Sequence, residues 1–477
     1  MITNIKYSKY LYYYLSKKLF FFFLLALSVE LLMIFFLSRI NGIELFFRGD
    51  GRDYQNLANN LIYHQTLAIT PEPPYLPTSF RTPIYPFWLA FIYLIFQSYK
   101  AAIFVGALVF AISAPLVYLI GREIFAEKIA FASAILFAIE PWALYQAGFL
   151  SAEQIFMPIF LLSIYFFCRY LKYGTTLQLC LASLILGIAV LTRPAALFFV
   201  VVFIFLAFVF ELRHSIWQSF RASALISLIF IAVLIPWLIR NKIVLDSWQF
   251  SSASGIRIFS DYIMLEKYLG KEKPGKLVDI YERARQLLNI KNDWDTMTVE
   301  NSQKMSLIAL KEIKANFGSF TAMYLKNTGL YFFKNSYGNI FLDLGISGYN
   351  IQSKVNSYFK QIKDLNIVAL ISGASLGAKL LIILSVFWPL ITFLAFIGGL
   401  NMLKQNWQNL LFWFLILWIV YFSFITATAR DLSRYRLAIH APLFLLAVYG
   451  FYHVRNGISN VVYKIKNYFF DFIYKNE

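Results

Sequence analysis

The sequence has 477 residues, of which 60% are hydrophobic and 19% aromatic, while only 14% carry a charge. This composition excludes a soluble globular domain. The net charge of +18 would suggest nucleic acid as the partner of a soluble protein, but cations in a membrane protein are distributed by side. Two cysteines, Cys168 and Cys180, are too few for a disulfide-stapled ectodomain. We therefore expect an integral membrane protein that does not bind nucleic acid.

The first apolar run follows several lysines and could be mistaken for a secretory signal. It is as long as a membrane span and no small-residue cleavage site follows it, so we interpret it as an uncleaved helix. Nine later segments approach the roughly 20 apolar residues that a span needs. The ten predicted spans are 19–39, 101–120, 129–147, 154–171, 178–192, 195–211, 222–239, 376–400, 409–427 and 438–454.

Lysine and arginine residues predict the orientation of these spans. If the basic N-terminus is cytoplasmic, the connections after even-numbered spans are cytoplasmic too, and they are rich in cations, as the positive-inside rule requires. Both termini are then cytoplasmic, and the protein is expected to be integral to the cell (inner) membrane. Segment 320–333 is the weak point of this topology, because every later loop would change sides if it crossed the membrane.

Two long stretches fall outside the membrane in this topology. In residues 40–100, apolar side chains at helical spacing predict an amphipathic helix, the prolines of 71–77 predict an extended run, and 86–97 is expected to lie along the interface. Residues 241–375 are expected to form helices at or outside the membrane surface. The predicted fold is an all-α polytopic membrane protein with modules 1–240, 241–375 and 376–477.

Acidic and arginine residues collect on the predicted outer face, close to the membrane. Most cations of the inner loops and termini are lysines, whereas the outer cations are arginines, whose planar fork can bind a phosphate through two hydrogen bonds. The pattern predicts a pocket for a phosphorylated ligand that enters from the lipid. The residues are Asp50, Asp53, Arg81, Glu153, Arg193, Arg240, Arg430, Arg434 and Arg436.

Each of these residues also has a purely structural interpretation. Asp50 could cap the first outer helix, with Asp53 in the capping-box position three residues later. Glu153 could be a first-turn acid that the helix dipole favours. Arg193 and Arg240 could extend toward lipid headgroups, as arginines at the ends of spans do.

Several motifs resemble those of the GT-C glycosyltransferases, in the branch that contains protein O-mannosyltransferases and the lipid A aminoarabinose transferase. Their order and spacing carry the resemblance, which covers about the first 260 residues and 425–450. The motifs are Arg-Gly-Asp-Gly-Arg-Asp-Tyr-Gln-Asn-Leu-Ala-Asn-Asn-Leu (48–61), Arg-Thr-Pro-Ile-Tyr-Pro (81–86), Gly-Arg-Glu-Ile-Phe (121–125), Leu-Ser-Ala-Glu (150–153), Leu-Thr-Arg-Pro (191–194), Pro-Trp-Leu-Ile-Arg-Asn (236–241) and Arg-Tyr-Arg-Leu-Ala-Ile (434–439).

The resemblance implies an enzyme that takes a sugar from a polyprenyl-phosphate donor and passes it to an acceptor outside the cytoplasm. It implies that Asp50 is the essential acid, with Asp53 supporting it. Phosphate contacts would come from Arg81, where the lipid A branch has lysine, and from Arg240, Arg434 and Arg436. Glu153 would contact the acceptor or a metal, and Arg193 and Tyr85 the substrate. The expected outcome is inversion at the anomeric carbon by direct displacement.

No resident cofactor is predicted. A divalent metal could be held by Asp50 and Glu153, but no histidine joins them. The chain ends soon after the tenth predicted span, without the large C-terminal soluble domain of the best-known relatives. The acceptor therefore stays open among a lipid-linked glycan, lipopolysaccharide and a protein.

Two other classes of function fit parts of the pattern. An O-antigen polymerase or ligase also has many spans and an arginine-rich outer loop, but it usually lacks an acid-rich first loop followed by Arg-x-Pro-x-x-Pro. A transporter or flippase of lipid-linked substrates would use the outer arginines for substrate binding, and would be expected to have broken or charged spans in paired halves. The sequence shows no such halves.

Overall fold

The computed structural model describes residues 2–271, 280–334, 336–346, 376–426 and 432–474. These residues are almost entirely helical. The only β pairing in the described ranges is an isolated antiparallel bridge between Ala68 and Pro77. The α-helices are, in chain order, α1 (Ile2–Asn41), α2 (Asp50–His64), α3 (Ile84–Phe96), α4 (Tyr99–Ala111), α5 (Ser113–Ile124), α6 (Glu127–Ile139), α7 (Pro141–Gly148), α8 (Glu153–Tyr173), α9 (Thr176–Thr192), α10 (Val200–Glu211), α11 (Ile216–Leu245), α12 (Ala253–Tyr268), α13 (Ile280–Leu288), α14 (Val299–Ala315), α15 (Phe317–Phe333), α16 (Tyr337–Asp343), α17 (Leu376–Asn406), α18 (Leu410–Thr426), α19 (Leu432–Arg436) and α20 (His440–Tyr474).

Each of the ten predicted spans coincides with helix, which confirms an all-α polytopic membrane protein. By length and hydropathy, the described part contains seven helices able to cross a membrane, or eight if α6 and α7, bent by 49°, form one span. The predicted fifth and ninth spans correspond to α9 and α18, which are apolar but short. The structure thus shows that these segments are helical, but the number of ten membrane crossings remains a prediction.

Residues 40–100, which are predicted to lie outside the membrane, contain a helix and a proline-rich run that is not helical, as their sequence predicts. Helix α2 buries its apolar face, including Tyr54 and Leu57, and the proline-rich run 71–77 is not helical. Helix α3 is apolar but has only 13 residues, too few to cross a bilayer. It exposes a row of large apolar side chains, including Phe87, Phe91 and Leu94, as an interfacial helix would.

Helix α8 lies at the centre of the helical bundle. Its Phe160 packs against Phe199 and against Trp418 of α18, and its Phe167 stacks on Phe203 of α10 with the ring centroids 3.8 Å apart. These aromatic contacts fix the N-terminal end of α8, which carries Glu153, relative to the neighbouring helices.

Helices α17 and α20 approach each other closely at two glycines. A Cβ atom on Gly398 would lie 2.0 Å from the carbonyl oxygen of Leu446, and one on Gly450 would lie 2.1 Å from that of Leu394. Small residues at such a crossing allow the backbones of membrane helices to touch. This contact orients α20 and the segment that precedes it.

The second predicted outer stretch, residues 241–375, contains helices α12 to α16 in its described part. Phe259, Ile263 and Met305 belong to a small apolar cluster between α12, α13 and α14 that is separate from the main hydrophobic core. Helix α15 covers the uncertain segment 320–333, and it is not among the helices that qualify as spans. Residues 272–279 and 347–375 of the predicted outer module lie outside the described residues, as does Arg430.

Candidate active site

Two carboxylates project from the first turn of α2. The residue before the helix is Gly49, at φ +62°, and no side chain caps the helix, so the capping role considered for Asp50 is not the one it has here. Residues three apart share a face of a helix. The carboxylates of Asp50 and Asp53 therefore point in the same direction.

The guanidinium of Arg81 joins these two carboxylates. Its Nη2 donates to Asp50 Oδ1 at 2.7 Å and to Asp53 Oδ2 at 2.8 Å. The loop that carries Arg81 is anchored by Thr82, whose hydroxyl donates to the carbonyl of Thr192 at the end of α9. The Arg81 side chain also lies against the Tyr54 ring, 5.2 Å from its centroid.

Arg434 on α19 bridges Asp50 to Glu153. Its Nη2 donates to Asp50 Oδ2 at 2.6 Å and to Glu153 Oε2 at 3.1 Å, and its Nε donates to Glu153 Oε1. Arg434 and Asp50 are 384 positions apart in the sequence. The close pair therefore depends on the packing of the whole helical bundle.

Glu153 continues the series to Arg193. It opens α8, its side chain is 1% exposed, and Arg193 Nη1 lies 2.6 Å from its Oε1. Arg193 stands between α9 and the 3₁₀ helix Pro194–Phe199, in the extended conformation that a following proline favours. Its guanidinium lies 5.0 Å from the ring centroid of Tyr435.

Together these residues form what we call the charge chain. In spatial order it consists of Asp53, Arg81, Asp50, Arg434, Glu153 and Arg193. Three carboxylates alternate with three guanidinium groups, so the formal charges cancel. Such pairing compensates for the cost of removing the charges from water.

The charge chain changes the acidity of its members. Burial alone would raise the pKa of Asp50, but the charges of Arg434 and Arg81 and their hydrogen bonds lower it far below its usual range. Burial outweighs the single arginine at Asp53 and raises the pKa of that carboxyl. The surrounding carboxylates outweigh the burial of Arg81 and raise its pKa, so its charge is permanent.

Two cavities meet at Asp50. The small cavity, of about 250 Å³, is bordered by Asp50 and Arg434 and reaches Tyr145, Asn339 and Asp343. The large cavity, of about 560 Å³, borders Asp50 on the side of Asp53 and Arg81 and reaches Arg285, Lys291 and Trp294 in the second outer stretch. A reactant in either cavity can thus approach the same carboxylate.

Three of the predicted site residues that the structure describes border neither cavity and do not belong to the charge chain. Arg240 Nη1 donates to the carbonyl of Thr78 at 2.8 Å, and Tyr85 is buried, with its hydroxyl 2.8 Å from Gln154 Oε1. Arg436 is fully buried and donates to the carbonyls of Tyr331 and Lys334. Residues two apart in a helix point to different sides, so Arg436 cannot accompany Arg434 toward Asp50.

Several cavity residues were not found by the sequence reasoning. Asp343 in the small cavity is the only acid in the sequence between Glu312 and Asp364, and that isolation could have drawn attention to it. The run Lys291-Asn292-Asp293-Trp294 in the large cavity combines polar and aromatic side chains within an outer loop. Tyr145 is in an apolar stretch that was interpreted only as part of a span, so no local signal marked it.

The carboxylates of the site do not fit a metal. No group of three or more His, Cys, Asp or Glu residues suited to a metal occurs among the described residues. Asp50 and Glu153, the pair considered from the sequence, both accept hydrogen bonds from Arg434, which stands between them. A guanidinium thus fills the position at which a shared divalent cation would have to bind.

Comparison with known protein families gives one sequence match. Residues 80–239 match the family described as dolichyl-phosphate-mannose-protein mannosyltransferase. This confirms the resemblance predicted from the motifs over that segment, which includes Arg81, Glu153 and Arg193. No curated protein matches the chain.

Structural similarity to a solved archaeal enzyme extends over most of the chain. The oligosaccharyltransferase AglB from Archaeoglobus fulgidus, in complex with an inhibitory peptide and a dolichol-phosphate, has 14% identity and a TM-score of 0.47, covering 91% of this chain and 52% of that one. The same organism's enzyme in complex with Zn and sulfate has 14% identity and a TM-score of 0.46, covering 90% and 49%. The chain thus spans about half the length of these structures.

Proposed function

We propose that this protein is an integral membrane glycosyltransferase that transfers a sugar from a polyprenyl-phosphate donor to a hydroxyl of an extracytoplasmic acceptor. The observation that carries the proposal is the position of Asp50, where two cavities meet and two arginines hold the carboxylate. A transferase for two substrates needs such a junction. The family match over residues 80–239 supports the same chemistry.

The reaction is a single displacement at the anomeric carbon. The acceptor oxygen bonds to that carbon as the bond from the carbon to the phosphate oxygen breaks, and the acceptor proton passes to Asp50. The phosphate leaves with the electron pair of the broken bond, so its negative charge grows. Arg81 and Arg434 are placed to stabilise that charge, and attack opposite the leaving group inverts the sugar.

Donor binding would also activate Asp50. With both oxygens bound to arginines, the carboxylate has a very low pKa and is a weak base. A donor phosphate competes for the same guanidinium groups, because arginine binds phosphate and carboxylate in the same planar geometry. As the arginines turn toward the phosphate, the pKa of Asp50 rises and the carboxylate becomes a better acceptor for the proton.

The far end of the charge chain suggests how a lipid reaches the site. Arg193 borders a narrow apolar cleft of about 10 Å³ that is lined by Phe156, Met157 and Phe422. Because the cleft has room for no more than a water molecule, a polyprenyl chain would pack against the outside of these side chains, with its phosphate near Arg193 and Arg434. The donor would then enter from the bilayer and pass along the charge chain toward Asp50.

The same proposal gives the protein its place in the cell. The active site faces outward from the cell (inner) membrane, and both termini are cytoplasmic. The proposal keeps the division into the modules 1–240, 241–375 and 376–477 that the sequence predicts. The acceptor is a lipid-linked glycan, lipopolysaccharide or a protein, each of which offers hydroxyl groups. Asp50 requires only that such a hydroxyl enter one of the two cavities.

Transfer from labelled donors tests the proposal. Purified protein in lipid nanodiscs is incubated with labelled polyprenyl-phosphate sugars or nucleotide sugars and membrane extracts as acceptors. We expect transfer from the lipid donors only, with a roughly 10²–10⁴-fold loss in Asp50→Asn. Asp246→Asn is the matched control, because Asp246 is an exposed carboxylate at the end of α11. Transfer from nucleotide sugars, or equal rates in Asp50→Asn and the wild type, would contradict the proposal.

A further inference from the structure

The two cavities at Asp50 differ in chemical character. The small cavity is lined by aromatic and uncharged polar side chains, among them Trp142, Tyr145, Gln146 and Asn339, besides its charged members. The large cavity is lined by more charged groups, including Arg81, Arg285, Lys291 and Asp293. Aromatic surfaces with a few convergent polar groups suit a neutral ligand that carries many hydroxyls.

Along the charge chain, the small cavity lies nearer than the large one to the apolar cleft at Arg193. Arg434 borders the small cavity and is joined through Glu153 to Arg193 at the apolar cleft. The sugar of a lipid-phosphate donor is attached directly to the phosphate. If the phosphate binds at Arg434, the sugar must lie in the cavity that Arg434 and Asp50 both border. That is the small cavity, which leaves the large cavity for the acceptor.

The size of the small cavity agrees with this assignment. At about 250 Å³ it lies below the roughly 300–1,000 Å³ of pockets that enclose drug-sized ligands. A single sugar ring is a ligand of that smaller class, whereas a glycan or a polypeptide is not. The large cavity, of about 560 Å³, is the better match for an extended acceptor.

Asp343 at the end of α16 supplies a carboxylate at the edge of the small cavity. Its Oδ2 accepts a hydrogen bond of 2.7 Å from the Tyr145 hydroxyl, and its Oδ1 is 3.4 Å from Arg48 Nη1. The Arg48 side chain is 59% exposed, so this longer contact is weak. A carboxylate offers about four acceptor positions, and one firm hydrogen bond leaves most of them available.

We propose that the small cavity binds the sugar of the donor and that Asp343, held by Tyr145, accepts hydrogen bonds from the hydroxyls of that sugar. Asp343 is then a specificity-determining residue, with Asn339 as a second polar contact. This inference rests on the proposed function and adds the location of the transferred sugar. A site built to bind hydroxyl groups rejects a ligand that cannot make those bonds, because its own polar groups are left unpaired.

Donor binding without turnover tests this assignment. The probes are polyprenyl-phosphate glucose, its C2 epimer mannose and its C4 epimer galactose on the same lipid, with bare polyprenyl phosphate as the reference. The wild type should bind at least one of the sugar-bearing lipids roughly tenfold to a hundredfold more tightly than the bare lipid. Asp343→Ala should lose most of that difference while it still binds the bare lipid as well as the wild type does.

Two further variants keep the test informative if Asp343→Ala fails to fold. Tyr145→Phe keeps the ring and removes the hydrogen bond to Asp343, and Asn339→Ala removes the second contact; each should reduce the preference for a sugar-bearing lipid in part. Asp246→Asn is the control and should keep the full preference. Unchanged preference in all three cavity variants would overturn the assignment.

The outcomes also separate this inference from the proposed function. If the wild type transfers sugar in a manner that depends on Asp50, but the Asp343 and Tyr145 variants change only the KM for the acceptor, the small cavity holds the acceptor and this inference fails alone. If the wild type neither binds nor uses any polyprenyl-phosphate sugar, the proposed function itself fails.

Discussion

Glu153 is the most deeply buried member of the charge chain, and it neutralises two arginines. With 1% of its side chain exposed, it has almost no access to water and depends on Arg193 and Arg434 for compensation. Arg193 pairs with Glu153 in turn, while Arg434 pairs with both Glu153 and Asp50. Removing one partner of a buried ion pair leaves an uncompensated charge in a medium of low dielectric constant.

We therefore expect Glu153→Ala to destabilise the protein strongly. The free energy of unfolding in detergent should fall by about 3–5 kcal/mol. Glu300→Ala is the matched control, because Glu300 forms an exposed pair with Lys304 on α14, and its loss should leave the free energy of unfolding nearly unchanged. Similar losses of unfolding free energy in the two variants would show that Glu153 does not form the buried ion pairs of the charge chain.

The low pKa of Asp50 predicts how its contribution to stability depends on pH. The folded-state pKa lies below the value of about 3.9 for an unfolded chain, so Asp50 stabilises the fold above that value. The contribution is lost as the pH falls from about 4 toward the lower folded-state pKa. Thermal unfolding measured from pH 6 to pH 3 should show that the wild type loses more stability toward acid than Asp50→Asn. Parallel curves would contradict the ion pairs of Asp50.

The elements of the fold were largely predictable, because apolar runs of span length leave few alternatives to helix in a membrane. The first turn of α2 was predictable too, since Asp50 and Asp53 stand at the start of an apolar helical pattern. The different positions of Arg434 and Arg436 were not. They depend on the phase of α19, a helix of five residues, and the sequence does not report which side of a short helix faces the site.

The crossing of α17 and α20 gives a prediction at the level of elements. Gly398 faces the backbone of α20, whereas a Cβ atom on the adjacent Gly399 would meet nothing within 4 Å. Gly398→Ala should lower the midpoint of thermal unfolding because the helices must separate, while Gly399→Ala should leave the midpoint unchanged or raise it. Equal effects of the two substitutions would show that this close crossing does not form.

At the scale of the whole molecule, the charge chain joins segments that are far apart in the sequence. The start of α2, the start of α8, the end of α9 and helix α19 all meet at one end of the bundle. The sequence could propose this only by counting membrane crossings and by family resemblance. Neither approach could identify Asp343, because the charge pattern and the matched motifs do not extend to α16.

The proposed orientation can be measured in intact cells. In a variant without Cys168 and Cys180, a cysteine at Glu72, in the exposed proline-rich loop, should react with a maleimide that cannot cross the membrane. A cysteine at Gln408, in the exposed connection between α17 and α18, should react only after permeabilisation. The reverse pattern would place the site in the cytoplasm, and labelling of both in intact cells would contradict the proposed topology.

The most direct test of the central claim measures donor affinity and transfer rate on the same preparation of Asp50→Asn. A catalytic Asp50 makes its main contribution in the transition state, so the variant should bind a polyprenyl-phosphate sugar at least as tightly as the wild type, because Arg81 and Arg434 no longer pair with a carboxylate there. Its transfer rate at saturating donor should fall roughly 10²–10⁴-fold. A rate equal to that of the wild type, or a loss of rate explained wholly by a loss of donor binding, would contradict Asp50 as the base.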